Sequence, residues 1–398
     1  MTNPLLQSFN TKYQSAPFAE IKEEHYLPAF KELIDQSLQE IQEITQNPET
    51  PTFENTIEAL AYSGEQLDVV SNIFFNLNSA ETNDEIQQIA QEVSPLLTEF
   101  ASKISQNEQL FSRIKKVYDE KDNYSLNEEQ KMLLEETYKG FVRNGALLND
   151  EKKEQLKNIN IELSKKSLQF GQNVLAATNQ YYKHLTNKED LAGIPEAILA
   201  QYEEEAKERN LEGYVISLQF PSLLPVLTYA ENRELRKELA IANGKKSFDG
   251  GEFDNQNLIK ELVQLRQEKA QLLGYKSFAD YVLEERMAKS PQKVLEFLNE
   301  LLTKAKPFAQ KDVEELSVLA KADGITEMQS YDHAYYAEKL RKQKFDFNDE
   351  ELKPYFQLDK VQEAVFGLAG KLFGLEFVET SDIQKYHADV KTYEIFER

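Results

Sequence analysis

The chain has 398 residues, with 46 Lys and Arg against 69 Asp and Glu, a net charge of −23, and neither Cys nor Trp. So acidic a surface repels phosphate backbones and anionic lipid heads, which argues against nucleic-acid and membrane partners. The lack of Cys excludes disulfides, thiolate zinc sites, iron–sulfur clusters and a cysteine nucleophile.

Apolar residues make up 40% of the chain, enough for sizeable cores, and the length suits two or three domains. Gly (14) and Pro (12) stand at roughly half their average share, so the residues that punctuate strands and turns are scarce. An all-α, multi-helical fold is expected. The first ten residues, Met1 to Asn10, carry neither a basic nor an apolar signal-peptide region. No apolar stretch approaches the ~18 residues of a membrane span, and a cytoplasmic location is expected.

Helical periodicity opens with Phe30, Leu33, Ile34, Leu38 and Ile41 after Pro28, which suits a first turn because it lacks an N–H. Ile57, Leu60, Leu67, Val70, Ile73, Phe74 and Leu77 form a second stripe. Thr82 with Glu85 reads as a capping box before Ile86, Ile89 and Val93, and Ser125 with Glu128 repeats it before Met132. A long stripe runs from Asn149 through Leu156 and Phe170 to Val174. The spacing predicts an extended segment near 214–220, and Lys245 to Gly251 reads as a loop and domain boundary. Helices resume at Leu258 and after Ser290-Pro291, an N-cap followed by proline at the first helical position. Gly374 is a natural left-handed terminator for the helix carrying Val361, Val365, Leu368 and Leu372. A second extended segment is expected near 386–396, with no partner strand after it, as in a chain stopped inside a domain.

Motifs for chemistry are sparse. The histidines are His25, His184, His333 and His387, none with the spacing of HExxH, which sets two imidazoles one turn apart around zinc. GxSxG, GxxxxGK[ST] and GxGxxG are absent as well. Glu203-Glu204-Glu205 reads as a solvated helix face. The densest cluster is Tyr331-Asp332-His333-Ala334-Tyr335-Tyr336 running on to Arg341. It reads either as a capped helix packing tyrosines on a core or as the lining of a channel.

Several stretches together resemble peptidase family M3, the zinc metallopeptidases that include thimet oligopeptidase, and most closely its dipeptidyl carboxypeptidase branch. They are Asn3-Pro4-Leu5, Pro17-Phe18, His25-Tyr26-Leu27-Pro28, Phe53-Glu54-Asn55-Thr56, Thr82-Asn83-Asp84-Glu85, Leu272-Leu273-Gly274 and Met287-Ala288-Lys289. The most specific stretch runs from Tyr331-Asp332 through Tyr335-Tyr336-Ala337-Glu338, Arg341 and Lys344-Phe345-Asp346 to Glu351-Leu352-Lys353-Pro354-Tyr355. Tyr386-His387, Asp389-Val390 and Tyr393-Glu394-Ile395-Phe396 complete it. Tyr331 and His333 depart from the tryptophans usual in that branch.

The resemblance implies the N-terminal part of a two-domain helical ellipsoid enclosing a peptide channel, with residues 1–248 as one wall. Residues 249–398 would be a second helical region lacking the zinc-binding part. The family's zinc, held by HExxH and a downstream glutamate, has no matching positions here, so no cofactor, metal ligand or catalytic residue is assigned to this chain. Tyr331, Asp332, Tyr336, Arg341 and His387 are the substrate-channel candidates. The expected function is the N-terminal portion of a peptidyl-dipeptidase or oligopeptidase, inactive alone, with short peptides and the missing catalytic half as partners. The alternative is a non-catalytic peptide-binding or complementing module for a separately encoded catalytic half.

Overall fold

The computed structural model describes residues 3–345 and 352–397. Asp346 and Glu351, quoted above for the resemblance, lie outside the described residues. Among the described residues helix dominates, and strands occur as two small antiparallel pairs.

In chain order, α1 (Tyr26–Gln46) places Pro28 in its first turn, as expected. Then come α2 (Glu65–Ala80), α3 (Asp84–Ser105), α4 (Glu108–Asp119), α5 (Glu128–Arg143) and the long α6 (Asp150–Gln180). Strand β1 (Tyr182–Leu185) precedes α7 (Glu196–Glu208), β2 (Tyr214–Ser217), α8 (Phe220–Tyr229) and α9 (Arg233–Gly244). Next are α10 (Gln256–Leu272), α11 (Pro291–Ala322), α12 (His333–Phe345) and α13 (Leu358–Phe373). Strands β3 (Leu375–Thr380) and β4 (Thr392–Glu397) follow.

Ser290 caps α11 by accepting the Lys293 N–H, and Gly374 takes φ +69° after α13, both as expected. Two other caps are displaced. At α3, Asn83 Oδ1 accepts the Ile86 N–H at 2.9 Å, while Thr82 Oγ1 is buried without a partner. At α5 the reciprocal pair is Asn127 with Gln130, at 2.8 and 3.0 Å, rather than Ser125 with Glu128. In both cases an asparagine one or two residues downstream of the hydroxyl takes the capping position.

The extended segments are shorter than expected. β2 ends at Ser217, and Phe220 already opens α8 with Pro221 in its first turn. Residues 386–391 form bends and a turn, and only 392–397 is strand. That strand has a partner after all, upstream: β3 pairs with it antiparallel from Leu375↔Glu397 to Thr380↔Thr392.

The chain divides into two compact units, one of Met1–Gln169, Leu262–Tyr281 and Gln362–Arg398, the other of Phe170–Glu261 and Val282–Val361. In the first, α1, α2 and α3 bury Tyr26, Phe30, Leu67, Phe74 and Val93 in one cluster. A second cluster joins the end of α1 to α4 and α5 through Ile41, Ile114 and Leu134. The β3–β4 hairpin is tied to the amino-terminal segment within this unit. Tyr13 donates its hydroxyl to Glu394 at 2.6 Å, Lys12 pairs with Glu394 at 2.7 Å, and Phe18 packs edge-on against Tyr386.

In the second unit, Ile198, Tyr202, Ile216, Val226 and Leu239 form one cluster, and Leu316, Ala320 and Tyr336 another. β1 and β2 pair from Tyr182↔Ser217 to Leu185↔Tyr214. Gly213 enters β2 at φ +94°, and a Cβ there would sit 2.3 Å from the Leu185 carbonyl oxygen. Gly213→Ala is therefore expected to destabilise this unit by about 1–3 kcal/mol, read as a lower urea midpoint at unchanged m-value.

Candidate functional site

The chemistry-bearing cluster of the sequence, Tyr331 to Arg341, lies wholly in the second unit. Asn232 caps α9 by accepting the Leu235 N–H at 3.1 Å, which places Arg233 and Arg236 one turn apart on the same helix face. Both guanidinium groups converge on Asp332. Arg233 Nε and Nη2 reach its carboxylate at 3.0 and 2.8 Å, and Arg236 Nη2 at 2.9 Å. The Gln329 N–H donates to the same group at 3.0 Å, so Asp332 also closes the turn that leads into α12.

Asp332 is 0% exposed and Arg236 1%. Burial by itself would raise the Asp332 carboxyl, but the hydrogen bonds from Arg233, the Gln329 N–H and Arg236 outweigh it and hold the group below the ordinary aspartate range. Arg236 also donates to the Ala230 carbonyl at 2.7 Å. Aromatic faces complete the cluster: Arg233 lies 5.2 Å from the Tyr331 ring centre and Arg236 4.2 Å from that of Tyr335. The arrangement anchors α9 to the start of α12 through a desolvated charge group in which the Asp332 carboxylate is fully hydrogen-bonded and Arg236 Nε is buried without a partner. It has no spare acceptor for proton transfer.

Tyr336 is buried against Leu316 and Ala320 of α11. Its phenol is pushed up to about 12, by burial first and then by the charge of Asp323, to which it hydrogen-bonds. Arg341 forms a two-pronged pair with Glu338 at 2.8 and 2.9 Å on α12. His387 is exposed in the first unit, where its Nδ1 accepts the Asp389 N–H at 3.2 Å inside a turn. Tyr331, Asp332, Tyr336 and Arg341 thus share one segment, and His387 belongs to another unit.

Arg233 and Arg236 were not singled out by sequence reasoning. They lie 99 and 96 positions from Asp332, a separation that leaves no local pattern. The available signal was two arginines one turn apart behind an Asn cap.

His25 Nδ1 accepts the Lys22 N–H at 3.0 Å, and His184 Nε2 lies 2.6 Å from the Glu212 carbonyl. Among the described residues no group of three or more His, Asp or Glu side chains is placed to hold an ion. The described residues do not fit a zinc centre. Among them, no helix is long and apolar enough to cross a membrane.

Comparison with known proteins gives a consistent picture. The profile of peptidase family M3 matches residues 226–398, and that of the neurolysin/thimet oligopeptidase N-terminal domain matches residues 30–153. Oligopeptidase A of Escherichia coli is 33% identical over 402 residues, covering 100% of this chain and 58% of that protein. Dipeptidyl carboxypeptidase of Escherichia coli is 36% identical over 398 residues, 99% of this chain and 58% of the relative. A probable cytosolic oligopeptidase A of Arabidopsis thaliana is 32% identical, over 98% of this chain and 56% of its own length. The chain therefore spans somewhat over half the length of these relatives.

Proposed function

We propose, since the chain belongs to peptidase family M3 and corresponds to the N-terminal portion of its relatives, that these residues form the substrate-enclosing part of a cytoplasmic, zinc-dependent oligopeptidase or peptidyl-dipeptidase. The observation that carries the reading is end-to-end similarity to oligopeptidase A and dipeptidyl carboxypeptidase at 33–36% identity. When bound, zinc would polarise the scissile carbonyl and acidify a water, chemistry that belongs to the HExxH motif. These 398 residues do not contain HExxH, and no step is assigned to them through the metal.

The contribution assigned here is shape. Residues 1–248 would supply one wall of a channel for short peptides and 249–398 part of a second body, with Tyr331, Arg341 and His387 as the channel candidates that keep accessible surface, and the buried Asp332 and Tyr336 holding their segment from within. A dense local structure of helices can hold such a wall rigid, and an enclosed channel excludes bulk water and folded substrates. The buried Arg233–Asp332–Arg236 group supports this reading as a fixed point that ties residues of the first region to the second.

A complementing role is favoured by one further observation. Leu295, Phe297, Leu298, Leu301, Leu302 and Phe308 all stand exposed along α11, an apolar face of the kind that marks a docking surface. A catalytic portion carrying HExxH is the occupant this reading assigns.

The test is zinc calorimetry together with cleavage of a quenched fluorescent peptide. The 398-residue chain alone is expected to show neither stoichiometric zinc binding nor cleavage above the blank, and co-expression with an HExxH-bearing catalytic portion should restore cleavage. Tight one-to-one zinc binding with hydrolysis by these residues alone would overturn the assignment.

A further inference from the structure

A separate feature of the first unit points to a ligand. The sequence sets Ser94 and Thr98 one turn apart on α3, and Asn160 and Ser164 one turn apart on α6. Such spacing gathers small polar side chains on one face of each helix. The two faces border a cavity of about 570 Å³, with Leu97 and Leu163 as its apolar wall and Lys269 of α10 contributing a charge.

Lys269 is half-buried, and among the described residues no carboxylate or other acceptor pairs with its ammonium. Its Nζ lies 5.7 Å from the centre of the Tyr281 ring. The charge acting on it is that of Arg143, a second cation, whose guanidinium sits 4.5 Å from the same ring centre. Burial first, and that like charge second, push the amine below the ordinary lysine range. The ammonium is not sealed off: among the described residues, the closed side-chain atoms that lack a partner do not include its Nζ, so a partner from solution can reach it. A half-buried cation with only another cation acting on it runs against the chain's net charge of −23.

Neutral donors border the same cavity. Thr98 gives its O–H to the Ser94 carbonyl at 2.8 Å. Ser94 and Ser164 bond to each other at 2.9 Å, which uses one of their two O–H groups and leaves the other to donate. The Asn160 amide has no partner among the described residues.

We propose that this cavity binds a carboxylate, with Lys269 as the counter-charge, Asn160 and the spare hydroxyl of the Ser94–Ser164 pair as neutral donors, and a short aliphatic group against Leu97 and Leu163. An ionised carboxylate only accepts, and it can take about four donors, so it matches a wall of unused N–H and O–H groups. One ammonium balances a monoanion, whereas a phosphate dianion would bring surplus negative charge to an already acidic chain. Binding of this kind is independent of the peptidase reading, since it is measured without hydrolysis.

Methyl NMR of the 398-residue chain, following Leu97 and Leu163, tests this with four probes. Acetyl-alanyl-alanine offers a terminal carboxylate, acetyl-glutamate methylamide a side-chain carboxylate, acetyl-alanyl-alanine amide no charge, and inorganic phosphate a different anion. Saturable shifts with either carboxylate and none with the amide are expected, and the two carboxylate arms identify the source. Lys269→Met should weaken binding about tenfold, Lys269→Arg less because it keeps the charge, and Asn160→Ala several-fold. Lys269→Met should also fold at least as stably as the parent, because it keeps an apolar stem and removes a half-buried charge that has no partner. Equal shifts with the neutral amide, no shifts at tens of millimolar carboxylate, phosphate binding tighter than either carboxylate, or unchanged affinity in Lys269→Met would each overturn the proposal.

Discussion

Asp332→Ala is expected to destabilise the second unit by about 3–5 kcal/mol, because it strands Arg236, and partly Arg233, without a counter-charge. Arg236 is 1% exposed, so water cannot take the place of the lost carboxylate. The reading is amide hydrogen exchange resolved by segment: peptides from α9 and α12 should lose protection, while those from α1 to α3 keep theirs. Arg233→Ala should cost less, since Asp332 keeps Arg236 and the Gln329 N–H, and the pair removed is 29% exposed on the arginine side. Replacing the group together, Asp332→Leu with Arg236→Met, should recover much of the loss, because matched apolar groups leave no charge buried.

The same group sets a pH dependence. The folded Asp332 carboxyl lies below the unfolded value of about 3.9, so its contribution is complete above that pH. It is lost as pH falls through the lower, folded-state value. Acid unfolding of α9 and α12 should therefore shift to higher pH in Asp332→Asn, which cannot ionise. An unchanged acid midpoint would show that the carboxylate contributes nothing to this linkage.

Phe74→Ala should cost the first unit a comparable 3–5 kcal/mol or so. Phe74 is fully buried and touches three rings, with centres at 4.9 Å for Tyr26, 5.5 Å for Phe30 and 5.1 Å for Phe75. Truncation leaves a cavity that α1, α2 and α3 close only in part, and it removes the edge-to-face contacts as well. Exchange protection should fall in α1 to α3 and stay unchanged in α9 and α12. Phe74→Leu, which keeps most of the volume, should recover more than half of the loss.

The helical character was legible because the apolar period of α1, α3 and α6 is set by local spacing. Phe30, Leu33, Ile34 and Ile41, read as one stripe, are all buried. Caps were legible only to within a residue or two. At Thr82 and Asn83, and at Ser125 and Asn127, neighbouring residues can each cap, and the extended backbone angles that make Asn83 and Asn127 the caps are not written in local composition. The partner of the final strand was missed because it precedes that strand: the alternation of Leu375, Phe377 and Glu379 is short and directly follows a strong helix. Of the candidate cluster, the sequence showed the tyrosines and Asp332 but not what Asp332 meets. Its arginine partners lie nearly a hundred positions away, and only the folded chain brings them together.

The clasp between Tyr13 and Glu394 has a consequence for how the protein comes into being. Its two ends are 381 positions apart, so the hairpin edge of the first unit stays open until the ribosome has moved that far beyond Tyr13. At roughly 5–20 residues per second, the nascent chain spends many seconds with Tyr13 and Phe18 lacking their final neighbours. The second unit, built from Phe170–Glu261 and Val282–Val361, has its last residues before the hairpin is made. Synthesis order therefore favours completing the interior unit first, and ribosome-bound intermediates should be guarded by chaperones at the amino-terminal segment.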